Sequence, residues 1–148
     1  METKIPPPIV TLVFGLSIYL SSGIFRVVEF NHSFYLGIIL LLLGFVILIS
    51  AVRLFRKDKT TVNPLSPEQA TTLVTDGIFK YSRNPMYLGM ALVLGSIAVF
   101  FNIIGGIILV ALFCAYITKF QILPEERAMR DLFSDDFDKY TKVTRRWI

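Results

Sequence analysis

The longest uncharged stretch of the sequence runs from Asn84 to Thr118 and contains 35 residues. As one straight α-helix it would be about 52 Å long, whereas the hydrocarbon core of a bilayer is only about 30 Å thick. The stretch therefore has to fold back on itself. Asn102 and the two glycines that soon follow it are the polar, flexible point near the middle. We predict a helical hairpin whose turn lies at about residues 101–106.

Two further stretches without charge precede this hairpin. Ile9–Phe25 has 17 residues and Phe34–Val52 has 19, close to the roughly 20 that cross a bilayer as a helix. Hydrophobic residues make up 54% of the chain, and the excess over the ~45–50% of a soluble domain lies in these stretches. We predict an all-α polytopic membrane protein of one domain, residues 1–148. Its four transmembrane helices would lie at about 9–25, 34–52, 86–101 and 104–118.

The basic residues predict the orientation. In the four-helix arrangement, fourteen of the fifteen lysines and arginines fall on one side, and only Arg26 lies in the loop between helices 1 and 2. Basic residues concentrate on the cytoplasmic side of membrane proteins. Both termini, a connector at 53–83 and a tail at 119–148 are therefore predicted to be cytoplasmic. Because the charges flank apolar spans, we expect contact with anionic lipids and no nucleic-acid partner.

The connector and the tail carry local structure signals. Ser66 and Pro67 are typical of a helix start, as Asn84 and Pro85 are for helix 3, with each polar residue as the cap. The tail is predicted to be an amphipathic helix with a break near Ser134, packed on the membrane surface or on the connector.

Several kinds of site are excluded or not expected. His32 is the only histidine and Cys114 the only cysteine, so a histidine-based dyad, a histidine zinc cage and an internal disulfide are ruled out. We expect no metal. There is also no strand, glycine-rich turn and helix unit of the dinucleotide-binding type.

Charged groups are placed at both ends of the predicted hairpin. Arg83 directly precedes helix 3, and Glu125 and Glu126 follow helix 4 after Pro124. The two ends of a hairpin are neighbours, so Arg83 should face the glutamate pair. An interfacial ion pair that fixes the hairpin and a polar pocket for a ligand are both compatible with this placement.

The sequence from Leu73 to Gly89, LVTDGIFKYSRNPMYLG, resembles the signature of the isoprenylcysteine carboxyl methyltransferase and phospholipid methyltransferase superfamily. The family pattern is Arg-(His or Asn)-Pro-x-Tyr-x-Gly, an apolar hairpin and a Glu-Glu pair, which Glu125 and Glu126 match. The resemblance covers about residues 60–147, and the first two helices match only in hydropathy.

The resemblance implies an S-adenosylmethionine-dependent methyltransferase whose pocket is formed by the connector, the hairpin ends and the tail. It implies these cofactor-binding residues: Leu73, Val74, Gly77, Phe79, Tyr81, Arg83, Asn84, Pro85, Tyr87, Glu125 and Glu126. The candidate catalytic residues are Arg83, Glu126 and Arg145.

The methyl acceptor stays open between several classes. Position 84 is Asn where prenylcysteine enzymes commonly have His. A carboxylate acceptor, as in prenylcysteine, needs only an orienting cation, for which Arg145 and Arg146 are candidates. An amine or thiol acceptor, such as a phospholipid headgroup, must lose a proton, which a glutamate could take. The expected partners are a lipophilic substrate and membrane lipids. The alternative from another class is a non-catalytic membrane scaffold.

Overall fold

The computed structural model of the chain describes residues 5–24, 32–58 and 69–148, and the regular structure in these ranges is helical. Its elements are α1 (Pro7–Ser21), α2 (Ser33–Lys57), a 3₁₀ turn (Gly77–Lys80), α3 (Pro85–Phe101), α4 (Ile103–Ile117), a π-helical turn (Thr118–Ile122) and α5 (Leu123–Val143). The predicted helix start at Ser66 and Pro67 and the loop containing Arg26 lie outside the described residues.

The third helix is the centre of the bundle. Helices α1 and α2 both pack on α3, and α4 packs on α3 and α1. The contact between α2 and α3 is made backbone to backbone, because a Cβ added at Gly89 would lie 2.8 Å from the carbonyl oxygen of Gly44. Lipid tails provide no hydrophobic drive for helix association, so close approach at small residues is a common way to hold such helices together.

The predicted hairpin is present, with a narrower turn than expected. Helix α3 ends at Phe101 and α4 begins at Ile103, so Asn102 alone forms the turn. Its Oδ1 accepts a hydrogen bond from the N–H of Gly105, and its Nδ2 donates to the carbonyl oxygen and to Oγ of Ser21, both at 3.1 Å. Asn102 thus caps α4 and ties the hairpin to the end of α1 from a buried position.

Two helices are long and apolar enough to cross a membrane among the described residues: α2, and the continuous helix Ile103–Val143. Helices α1 and α3 are apolar but have 15 and 17 residues. Helix α2 continues past the predicted end at Val52 to Lys57. The prediction stopped at the first charge, but a helical backbone tolerates arginine, whose long side chain can bring the charged head to water.

The first part of the tail is continuous with α4 and does not begin as a separate helix. The π-helical turn joins α4 to α5, so the helical path runs unbroken from Ile103 to Leu123 and beyond. The predicted break is present at Ser134, where φ is 41°. Beyond it, Phe137 and Tyr140 are buried against Val74 and Phe79. The apolar stripe of the tail therefore packs on the connector.

Two glycines of α3 give a matched test of the close helix contact. We expect Gly89→Ala to destabilise the protein by about 1–3 kcal/mol, because the added methyl group collides with the backbone of α2. At Gly95 the nearest atom to an added Cβ is Leu40 Cδ1 at 3.9 Å, so Gly95→Ala should be neutral or slightly stabilising. Thermal unfolding in detergent micelles measures both. Equal melting temperatures for the two variants would contradict the contact.

Candidate active site

A cavity of about 250 Å³ opens where the charged ends of the helices meet. It is bounded by the start of α1, the end of α2, the connector, the start of α3 and both halves of α5. Its apolar and weakly polar lining consists of Pro7, Pro8, Phe55, Ala70, Thr72, Leu73, Val74, Phe79, Pro85, Met86, Met90, Met129, Phe137 and Tyr140. Its polar lining consists of Arg83, Asn84, Tyr87, Glu125 and Glu126.

One wall of the cavity is shaped by the 3₁₀ turn. Gly77 has φ +57°, the left-handed region that glycine adopts without strain, and an added Cβ would lie 2.9 Å from Leu54. The turn buries Phe79, which packs edge-to-face on Phe55. The hydroxyl of Tyr140 donates to the carbonyl oxygen of Phe79 at 2.6 Å. Gly77 thus allows the turn that places Phe79 in the wall, but Gly77 does not line the cavity itself.

Glu126 is surrounded by two arginines. Nη2 of Arg83 donates to its Oε1 at 2.7 Å, while Nε and Nη2 of Arg146 donate to Oε1 at 3.0 Å and Oε2 at 2.7 Å. The side chains of Arg83 and Glu126 are only 11% and 13% exposed. Burial acts to raise the pKa of Glu126, but the hydrogen bonds from Arg146 and Arg83 outweigh it and lower that pKa. Glu126 is therefore held as a carboxylate.

Glu125 has a different environment. The hydroxyl of Tyr87 donates a short hydrogen bond to its Oε1. Among the described residues the structure pairs no lysine or arginine with Glu125. Burial raises the pKa of the Glu125 carboxyl to about 7; the hydrogen bond from Tyr87 acts to lower it and the charge of Glu126 acts to raise it. Near neutral pH this group can therefore either hold or release a proton.

The C-terminal segment after Val143 leaves the helix, with Thr144 in the extended conformation, and crosses the start of α3. The N–H of Arg83 donates to the carbonyl oxygen of Arg145 at 3.0 Å, and Arg83 Nη1 donates to that of Thr144 at 2.6 Å. Asn84 has no side-chain capping hydrogen bond; its Nδ2 donates instead to the carbonyl oxygen of Arg146 at 3.0 Å. The position of the predicted cap is confirmed, with Asn84 as the N-cap and Pro85 as the first residue of α3, but the predicted side-chain capping hydrogen bond is absent.

The structure brings most of the predicted cofactor-binding residues to one cavity. Gly77 and Tyr81 are the two of those eleven that do not line it, and the Tyr81 side chain is 74% exposed. The side chain of Arg145 is exposed and is also outside the lining. Arg146 occupies the place beside Glu126, whereas the sequence indicated it only as a candidate to orient an anionic acceptor.

Comparison with known proteins identifies the family. The phospholipid methyltransferase family model matches residues 32–136, which include α2, the connector, the hairpin and the first half of α5. The chain belongs to the phospholipid methyltransferase family. No curated protein and no solved structure matches the chain. Members of the family are membrane methyltransferases that use S-adenosylmethionine, so this chain is an S-adenosylmethionine-dependent enzyme.

The cavity suits that cofactor chemically. S-adenosylmethionine supplies a methyl group bound to a positively charged sulfur, and it carries a carboxylate, an ammonium and an adenine ring. Nε of Arg83 is buried without a hydrogen-bond partner among the described residues, so it is free to donate to a carboxylate. A carboxylate has about four acceptor positions, and Glu126 uses three of them on the arginines. One position on its Oε2 remains for an ammonium.

The raised pKa of Glu125 predicts a particular pH dependence of stability. Between the ordinary value of 4.5 and about 7, the folded protein binds more protons than the unfolded chain. Its stability should therefore fall as pH rises through this window. We expect Glu125→Gln to lose this contribution to the decrease in stability. Apparent melting temperatures in micelles from pH 4.5 to 8 measure it.

Asp135→Asn is the matched control, because Asp135 is an exposed carboxylate on the same helix. It should keep the pH dependence of the parent protein. A parent and a Glu125→Gln variant with parallel profiles would show that Glu125 ionises normally.

Proposed function

We propose that the protein transfers methyl groups from S-adenosylmethionine to the amine of a phospholipid headgroup. The supporting observation is the distribution of charge in the cavity. Arg83 and Arg146 both pair with Glu126, whereas Glu125 faces the cavity with Tyr87 as its hydrogen-bond partner. Glu125 has no cationic partner in the part of the chain that the structure describes, which suits a positively charged headgroup amine.

The same distribution disfavours a prenylcysteine-like carboxylate as acceptor. Such an acceptor needs a cation to orient it, and the guanidinium groups beside the cavity are already bound to Glu126. An ionised Glu125 would repel it. The amide of Asn84, at the position where prenylcysteine enzymes commonly have His, is engaged with the backbone of Arg146. These contacts favour the amine over the carboxylate.

The apolar part of the cavity supports a lipophilic substrate. Pro7 and Pro8 at the start of α1, Phe55 near the end of α2, and Met86 and Met90 on α3 line it together. Flexible methionine side chains adapt to irregular apolar ligands. A headgroup at the polar end would leave the acyl chains directed along this wall, toward the apolar helices.

The site residues divide into groups in this proposal. Arg83 and Glu126 hold the amino-acid end of the methyl donor, with Asn84 fixing the terminal segment beside them. Leu73, Val74, Phe79, Pro85 and Tyr87 line the space for the rest of the donor. The exposed guanidinium of Arg145 is available to the phosphate of the lipid. Alignment of acceptor and donor in a site shielded from water then supplies much of the rate.

The proposal includes a topology. We propose that α1, α2, α3 and α4 all span the membrane, with both termini and the connector in the cytoplasm. The asymmetry of the basic residues supports this orientation. Asn102 and the end of α1, which bind each other, would then lie near the outer surface. The cavity would open at the cytoplasmic boundary.

Two conservative variants test the binding site. We expect Glu126→Gln and Arg83→Lys to weaken binding of the demethylated product of the donor by about 10- to 150-fold. Glu126→Gln removes the charge that would bind the ammonium, whereas Arg83→Lys keeps the charge and removes the planar guanidinium with its Nε donor. Calorimetry with purified protein measures this binding. Asp135→Asn is the control. If both variants fold normally and bind the product as tightly as the parent, then Arg83 and Glu126 form only a structural ion pair.

The acceptor itself is tested in vesicles. The purified protein should transfer a labelled methyl group to vesicles that contain an ethanolamine-headgroup phospholipid, and not to a prenylcysteine analogue in the same vesicles. Labelling of the prenylcysteine alone would contradict the amine proposal.

Single cysteines test the topology. In a Cys114→Ala background, Ile24→Cys at the exposed end of α1 should react only with reagent added outside the cell. Lys142→Cys on α5 should react only after the membrane is opened, because it would lie in the cytoplasm. Labelling on the same side for both positions would rule out the four-helix arrangement.

A further inference from the structure

The two adjacent glutamates of the cavity are chemically distinct. Glu126 accepts three hydrogen bonds from two guanidinium groups, whereas Glu125 accepts one from a neutral hydroxyl. Consecutive residues of a helix point about 100° apart. Glu125 therefore faces Tyr87 on α3, and Glu126 faces Arg83 and the C-terminal segment. Two residues with such different partners are suited to different tasks.

An amine acceptor poses a chemical problem that one of these glutamates can solve. An alkylammonium such as that of lysine has a pKa of about 10, so at neutral pH nearly all of the headgroup amine is protonated and has no lone pair. The acceptor must lose a proton to a nearby group before or during its attack on the methyl carbon. A proton acceptor needs a carboxylate that is not already neutralised by cations.

We propose that Glu125 is the proton acceptor for the headgroup amine and that Tyr87 positions its carboxylate, while Glu126 with its arginines binds the methyl donor. This assignment rests on the proposed function. Tyr87 occupies Oε1 of Glu125 and leaves Oε2 to receive the proton. Glu126 is unsuited to that task because Arg83 and Arg146 stabilise its ionised form.

The reaction step balances as follows. The Glu125 carboxylate takes one proton from the ammonium and becomes a carboxylic acid, and the amine regains its lone pair. A nitrogen–carbon bond forms between this amine and the methyl group as the carbon–sulfur bond breaks. The electron pair of that bond stays on sulfur, which becomes a neutral thioether, and the positive charge passes to the methylated nitrogen. Glu125 then returns its proton to water.

The partly buried environment of Glu125 also favours this role. A carboxyl whose pKa is raised to about 7 is a stronger base than an exposed glutamate and is still partly ionised at neutral pH. General bases work best when their pKa lies near the working pH. A residue that only bound the cationic donor would gain nothing from a raised pKa.

The decisive experiment compares the pH dependence of methyl transfer to ethanolamine-headgroup vesicles in the parent and in Glu125→Gln. In the parent, kcat should rise with pH through about 7. In Glu125→Gln, kcat at pH 7 should fall by about 10²-fold or more. The deficit should shrink as pH rises toward 9.5, because the free amine increases about tenfold per pH unit below its pKa. A pH-independent deficit, or no deficit, overturns the assignment.

A binding measurement without turnover separates the two glutamates. By calorimetry, Glu125→Gln should bind the demethylated product within about threefold of the parent, in contrast to Glu126→Gln. Equal weakening in both variants would make Glu125 a donor-binding residue and overturn the assignment. If Glu125→Gln folds poorly, chemical rescue of Glu125→Ala gives a second test. Added formate should restore amine methylation in that variant. A folded Glu125→Ala protein that formate does not rescue would count against the assignment.

Failure of the proposed function gives a different result. If the parent binds the demethylated product but methylates no amine headgroup at any pH, the amine proposal fails and this assignment fails with it. If the parent methylates the amine and Glu125→Gln has the same pH profile, the assignment alone fails.

Discussion

The hydrogen bonds from Arg83 and Arg146 to Glu126 join three segments that are far apart in the sequence. Arg83 precedes α3, Glu126 lies in the first turn of α5, and Arg146 belongs to the C-terminal segment. Removing Glu126 leaves the buried charge of Arg83 without its carboxylate, which is costlier than losing an exposed ion pair, whereas removing one arginine leaves Glu126 with the other. The cavity exists because this contact holds its polar end together while the apolar helices form the rest.

Helix geometry explains why one such contact organises the whole site. Arg83 lies just before the N-cap of α3 and Tyr87 lies in its first turn, so both side chains are at the end of α3 that meets the start of α5. Glu125 and Glu126 are neighbours on α5 and diverge. The pairs Arg83–Glu126 and Tyr87–Glu125 can therefore form together at a single helix contact. The Arg-Asn-Pro-x-Tyr spacing and the Glu-Glu pair are two halves of one complementary surface.

The sequence allowed part of this site to be predicted. The uncharged stretch of 35 residues required a hairpin, and the hairpin placed Arg83 opposite the glutamates. The role of Arg146 was harder to anticipate, because it depends on the path of the backbone after Val143 and on which of two adjacent arginines points inward. The continuity of α4 and α5 could not be predicted either, since a π-helical turn carries no composition signal.

The bend at Ser134 divides α5 into two halves, and each half lines a different part of the cavity. Glu125, Glu126 and Met129 line it before Ser134, and Phe137 and Tyr140 line it after. A φ of 41° is unfavourable for a serine, so packing and hydrogen bonds on both sides have to maintain it. Tyr140, which contacts Phe79, and Arg146, which contacts Glu126, both lie beyond this bend. Any movement of the second half of α5 away from the cavity therefore disturbs the apolar wall and the charge on Glu126 together.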